Sequence, residues 1–321
     1  MKAAIKFLAS AVLAAAAATA GAQGYPTKPL RVIVPLSPGS GADIAGRIVT
    51  KHMSEALGQP IVVDNRAGAG GVIGTQVVAK AQPDGYTLMV QSASHASNPA
   101  IYKSLPYDPL KDLVDVALLG VTPYVMITAP TGPYRSLKAL VDAARAKPGE
   151  IPFASAGLGT VTHLAAENFA QMAGAKMIHV PYKGSPEAIA DSAAGRTAFY
   201  MAPINTAIGL IRDGRLAALG VSTRQRLNML PAVPTIAEQG YPDYDMKLWF
   251  GMWAPAGTPS AIVQRLNGLV AAALQRPDVV EQFGKLGIDP VTMKPAEFAK
   301  FVREEIAANR RIVKRADIQP L

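Results

Sequence analysis

Two segments rich in glycine and hydroxyl side chains stand where a strand gives way to a helix, and both have the makings of an anion site. The first is Pro35-Leu-Ser-Pro-Gly-Ser-Gly-Ala-Asp43; the second is Ala154-Ser-Ala-Gly-Leu-Gly-Thr-Val-Thr-His163. The opening N–H groups of a helix have no partner within it, and its aligned peptide dipoles favour negative charge there. Glycine lets a ligand approach the backbone closely. In an open α/β sheet both loops would lie beyond the carboxyl ends of the strands, where ligands settle. One such loop alone reads equally well as a tight turn with a capping residue. Two, one in each half of the chain, point to a carboxylate held between lobes. Each helix end offers about 0.3–2 kcal/mol toward an anion, so hydrogen bonds must supply most of the affinity. Asp43 is either a helix cap or a ligand contact.

Other chemistries lack their residues. Gly68-Ala-Gly-Gly-Val-Ile-Gly74 departs from the dinucleotide fingerprint because Ile73 occupies the last glycine position, and no Gly-Lys-Ser/Thr closes a phosphate loop. His52, His95, His163 and His179 have no metal-type spacing, so neither metal nor cofactor is expected. There is no G-x-S-x-G elbow. Ser155 and His163 could be paired as nucleophile and base, but no orienting acid or oxyanion arrangement accompanies them. The chain reads as a non-enzyme.

The elements that position these loops alternate. Leu30–Leu36, Pro60–Asp64 and Tyr86–Val90 read as buried strands, with Ile44, Ile48 and Leu57 along one face of the helix between the first two, closed by Gly58. Ser136 caps a helix with apolar positions Leu137, Leu140, Val141 and Ala144, and Ile151–Ser155 feeds a helix from about Val161. Ala198–Met201 and Ala217–Val221 are further strands. Thr258-Pro259 starts a helix with Pro at its first position. The alternation implies βαβ units around a largely parallel sheet.

The N-terminus reads as an address. Lys2 and Lys6 precede an apolar run from Phe7 to Ala18, and Ala20-Gly21-Ala22 matches a secretory cleavage site. Residues 1–22 are therefore expected to be a signal peptide removed after Ala22, leaving a soluble periplasmic protein that begins at Gln23. The apolar run is shorter than the roughly 20 residues that span a bilayer. With no cysteine, neither a lipid anchor nor a disulfide is available. The remaining chain of about 300 residues exceeds one comfortable core, so two lobes are expected. A formal charge of +9, reduced by two once Lys2 and Lys6 leave, weakly favours anionic solutes. Its densest run, Arg310, Arg311, Lys314 and Arg315, is interleaved with Phe298, Phe301, Val302, Ile306, Ile312 and Val313 at helical spacing. That pattern is the wet face of an amphipathic helix, and no nucleic-acid partner is expected.

Several motifs occur together in order. They include Tyr25-Pro-Thr-Lys-Pro-Leu30, Ile33-Val-Pro35 with Pro38-Gly39, Asp64-Asn-Arg-Ala-Gly-Ala-Gly-Gly71 and Pro83-Asp-Gly-Tyr-Thr-Leu88. Leu105-Pro-Tyr-Asp-Pro109, Ser155-Ala-Gly-Leu-Gly-Thr160 with His163, and His179-Val-Pro-Tyr-Lys-Gly-Ser185 follow. Pro231-Ala-Val-Pro-Thr-Ile236, Trp249-Phe-Gly251 and Ala254-Pro-Ala-Gly-Thr-Pro259 complete the set. By these the chain resembles the tripartite tricarboxylate transporter receptors, the Bug-type periplasmic binding proteins, over essentially its whole exported length. The resemblance implies an α/β, two-lobed type II periplasmic-binding fold with a ligand cleft between the lobes. Residues 25–124 plus 249–321 would form one lobe and 125–248 the other. It implies a monomer that binds a small carboxylate and delivers it to the membrane subunits of such a transporter; a periplasmic sensor is the alternative, and a Ser155 hydrolase the third.

Carried over by motif, the implied contacts are Ser37, Ser40, Gly41, Ala42 and Asp43, then Ser92, Ser94 and Asn98. The second lobe would supply Ala156, Gly157, Gly159, Thr160 and His163. Asn98 and His163 are either contacts or framework residues. The family commonly has Gly and Thr where this chain has Ser40 and Ala42, and acids where it has Ala198 and Ala202. A buried ammonium needs an opposing carboxylate, and these alanines offer none. The ligand is therefore expected to carry one or two carboxylates and no ammonium. Small residues around Tyr200 and Ala202, with Trp249 or Phe250 nearby, would leave room for a flat body. An aromatic dicarboxylate such as terephthalate or phthalate leads, with adipate second.

Overall fold

The structure, a computed structural model, describes residues 24–315 and 318–319. The expected signal peptide and its cleavage site lie outside these residues. Among the described residues no helix is long and apolar enough to cross a membrane.

The chain opens with β1 (Leu30–Val34), α1 (Gly41–Leu57), β2 (Ile61–Asn65), α2 (Val72–Ala79), β3 (Thr87–Ser92) and α3 (Ser94–Ile101). β1 pairs in parallel with both β2 and β3, as the alternation predicts. The buried stripe of α1 differs from the expected one. Ile44, Ile48 and Leu57 are only half-buried, whereas Ala42, Ala45, Val49 and Met53 face the sheet. Small side chains let this helix sit close: a Cβ on Gly46 would meet Val90 Cγ1 at 3.1 Å. Gly58 ends it at φ 64°, in the left-handed region that suits glycine.

β4 (Leu113–Thr128) then runs 16 residues without a break. After it come α4 (Leu137–Ala146), β5 (Pro152–Ser155), α5 (Val161–Met172), β6 (Ile178–Pro181), α6 (Ser185–Ala193), β7 (Phe199–Pro203), α7 (Ile204–Arg212) and β8 (Ala217–Val221). Ser136 caps α4 by accepting from the Ala139 N–H, and the predicted Leu137, Leu140, Val141 and Ala144 are its buried face. β5 lies parallel to β6 and β7.

The chain returns through β9 (Lys247–Pro255) and ends in α8 (Ser260–Leu274), α9 (Pro277–Leu286) and α10 (Pro295–Arg315). Pro259 precedes α8 rather than starting it, because its ψ of 134° is extended. In α10, Phe298, Val302, Ile306 and Val313 are buried while Arg310, Arg311, Lys314 and Arg315 are exposed, matching the amphipathic reading.

Two sheets result, with helices packed on them. One runs β2-β1-β3-β9-β4, and the other joins β4 to β8 on one side and to β7-β5-β6 on the other. β4 belongs to both. Its residues 113–123 pair antiparallel with β9, and 124–128 pair with β7 and β8. At the crossing, the buried Ser222 hydroxyl accepts from the Tyr124 N–H at 2.9 Å and donates to the Met246 carbonyl at 2.6 Å. The two crossing segments are thereby stitched by one side chain.

Candidate ligand site

Five helix starts converge on one cavity between the sheets. Gly41 and Ala42 come from α1, Ser94 from α3, Val161 and Thr162 with the cap Thr160 from α5, Ser185 from α6, and the cap Pro203 from α7. Leu36, Ser92, Ala156, Leu248 and Phe250 complete the wall, so no charged side chain lines it. The helix dipole ends present positive character to the centre, with hydroxyls beside them. The enclosed space is about 10 Å³. That is about the room one water centre needs, so the flat space expected beside Tyr200 is not open in this closed arrangement.

The expected residues divide by position. Gly41, Ala42, Ser92, Ser94, Ala156 and Thr160 line the cavity together. Ser40 caps α1 just outside that wall, with a buried hydroxyl that makes no hydrogen bond. Asp43 is turned away, accepting from the Gly39 N–H at 2.8 Å, Asn65 Nδ2 at 3.0 Å and Arg47 Nε at 3.0 Å. It holds the Pro-Gly turn in shape from behind. Tyr200 is fully buried one layer back, where its hydroxyl meets Ser185 Oγ at 3.0 Å. Ala202 pairs in register with Val125 and packs in the second lobe's core rather than in the cavity. Phe250 reaches the cavity, but Trp249 points to the opposite face of β9 and donates from Nε1 to Glu305 at 2.8 Å.

The lobes touch across the cleft through specific bonds. Ser37 Oγ donates to Glu187 Oε1 at 2.7 Å, the Val161 N–H to Ser94 Oγ at 3.2 Å, and Asn205 Nδ2 to the Gly41 carbonyl at 3.2 Å. Asn98 Nδ2 donates to the Gly70 carbonyl at 3.3 Å and so ties α3 to the 68–71 loop, while its buried Oδ1 makes no hydrogen bond. Tyr102 OH lies 3.1 Å from the carbonyls of both Ala69 and Leu158, one on each side of the cleft. Gly157 and Gly159, at φ 140° and 78°, shape the facing loop without lining the cavity. The glycine run that departs from the dinucleotide fingerprint is thus a closure surface.

Beneath that loop the histidines differ from the sequence pairing. Ser155 meets His179 Nε2 at 2.6 Å, not His163. Burial, with His163 beside it, lowers the His179 pKa to about 3. Ser155 is fully buried and also bonded to Gly157, so it braces the loop. His163 accepts the Gly159 N–H at Nδ1, 3.4 Å away, and supports the loop from below.

Sequence reasoning passed over Thr162, Ser185, Pro203 and Asn205. Gly184 before Ser185-Pro186, and Pro203 after an apolar strand, were the available signals of two further helix starts.

Comparison with known proteins agrees with this geometry. The model of the tripartite tricarboxylate transporter family receptor matches residues 45–318. The chain is 41% identical to BugT of Bordetella pertussis over 302 residues, covering 94% of this chain and 92% of that one. An R. palustris protein solved with adipate superposes with a TM-score of 0.89 at 33% identity, covering 92% of this chain and all of the other. MatC from Rhodopseudomonas palustris, with bound malate, gives 0.87 at 31% identity over 90% of this chain and all of that one. The fold is accordingly the two-lobed type II periplasmic-binding fold that the motifs implied.

Proposed function

The chain belongs to the tripartite tricarboxylate transporter receptor family, and on that premise we propose that it is a periplasmic receptor that closes two lobes on a small dicarboxylate. The bound form is handed to the membrane subunits of a tripartite tricarboxylate-type transporter, and the ligand is not chemically altered. The lobes comprise 25–124 plus 249–321 and 125–248, hinged where β4 and β9 cross.

The observation that carries this reading is the convergence of five helix starts on a cavity with no charged wall residue. An ammonium brought there would lose water without gaining a carboxylate, at a cost of several kcal/mol. An anion instead finds N–H and hydroxyl donors already aimed at it. Adipate and malate, the ligands of the two structural relatives, are both dicarboxylates. Phe250 supplies a ring edge for packing, so terephthalate or phthalate leads and adipate follows.

Calorimetry against terephthalate, phthalate, adipate, malate and glutamate tests the assignment, with NMR of the recovered ligand to check that it is unchanged. Tight binding of glutamate with no response to any dicarboxylate, or conversion of the ligand, would overturn it.

A further inference from the structure

His163 and His179 lie face to face under the glycine loop, ring centroids 3.8 Å apart and planes 13° from parallel. Each holds a different part of that loop. His179 reaches Ser155 Oγ, which in turn accepts the Gly157 N–H at 3.1 Å. His163 Nδ1 accepts the Gly159 N–H. The loop continues directly into Thr160, Val161 and Thr162, which line the cavity. Phe153 of β5 lies beside the pair with its ring near-parallel to both, 5.1 Å from His179 and 6.4 Å from His163. The charged or titratable groups facing the stack are the two imidazoles and Glu167 of α5, whose Oε1 lies 3.6 Å from His163 Nε2.

We propose that His163 and His179 are positioning residues for the ligand: as a neutral stacked pair they hold the 155–160 loop in its anion-accepting shape, and a proton on His163 releases it. This rests on the reading that the loop faces the ligand.

The chemistry follows from lone pairs. Nδ1 of His163 accepts from Gly159 only while it is unprotonated. A proton there sets two N–H donors against each other and frees the Gly159 amide. Glu167 makes His163 the member of the pair that takes the proton, since it stands ready at the opposite nitrogen. A second proton is opposed, because two imidazolium rings would then be in face-to-face contact. Burial reinforces this at His179, which stays neutral far below the ordinary histidine range. The loop therefore responds to a single protonation of the pair.

The test uses the full exported protein and does not require the natural ligand to be known. Imidazole and amide NMR from pH 8 to 5, without ligand, should show His163 titrating while His179 does not. The Gly159 amide should shift along the same curve. His163→Asn keeps an acceptor near that position without a titratable group, and should leave the Gly159 amide flat with pH. With adipate or terephthalate as probe, affinity should fall about tenfold between pH 7.5 and 5.5 in the natural protein and stay level in His163→Asn. Independent titration of both rings, a Gly159 amide indifferent to His163, or unchanged pH dependence in the Asn variant would each overturn the proposal. Absence of probe binding at every pH would count against the dicarboxylate reading alone, and the ligand-free NMR would still decide the pairing.

Discussion

The backbone of Gly70 packs so closely on the carbonyl oxygen of Leu158 that no side chain fits between them. One residue belongs to the loop before α2, the other to the loop before α5, and they meet across the cleft. Gly70→Ala should therefore hinder closure more than folding. Its φ of 61° adds about 1 kcal/mol of backbone strain, a modest loss in thermal stability. Ligand affinity should drop at least tenfold, and X-ray scattering of the ligand-bound sample should retain the larger open radius. Affinity equal to the natural protein's would show that the contact is incidental.

A smaller effect is expected where the cleft is latched by a side chain. Removing the Ser37 hydroxyl in Ser37→Ala deletes its bond to Glu187, worth about 1 kcal/mol net. Dissociation of bound ligand should quicken roughly fivefold in stopped-flow traces, with the unfolding midpoint nearly unchanged.

Asp43 should act through the fold. Asp43→Ala leaves the Gly39 N–H and Asn65 Nδ2 without that acceptor and Arg47 without its ion partner. Urea unfolding should report a loss of about 2–4 kcal/mol, partly recovered in Asp43→Asn. If Asp43 instead touched ligand directly, binding would collapse with stability intact.

Acid should destabilise the protein through its buried histidines. Burial lowers the pKa of both His95 and His179 to about 3, while the unfolded chain titrates near the ordinary 6.5. Between these values the unfolded state binds more protons than the folded one. The stabilisation is therefore complete above pH 6.5 and is lost as pH falls toward 3. Each group contributes a slope of about 1.4 kcal/mol per pH unit. His95→Phe, packed on Trp253, should remove one of the two slopes in unfolding measured from pH 7 to 4.

Much of this was readable in the residues. The alternation of apolar runs with capped, periodic stretches placed the strands and helices, and Ser136 and the α10 stripe did what their spacing implied. Glycine and hydroxyl clusters pointed to Gly41, Ala42 and Thr160 because that composition suits an open helix start. Tyr200 and Ala202 fell on the wrong side because residues 198–203 are nearly all apolar. Such a run carries no alternation from which to read which side chains face the cleft. Ser155 and His179 could not be paired from 24 residues apart without the β5–β6 register, which sets Ser155 beside Pro181. Ser185 and Pro203 escaped because each looks like an ordinary helix start, and only their convergence gives them meaning.

The placement of β9 between β3 and β4 has a consequence for how the protein comes into being. The last strand made is the one that joins the first three to β4, so that sheet cannot close until more than three quarters of the chain has been synthesised. Until then the edges of β3 and β4 stand bare, open to pairing with neighbouring chains. The β4–β8 segment, by contrast, is contiguous and can assemble as it emerges. Pairings separated by so much chain are slow to form. A truncation before Lys247 should thus yield not a smaller receptor but two sheets with sticky borders, and the growing chain is most exposed to aggregation just before its final quarter arrives.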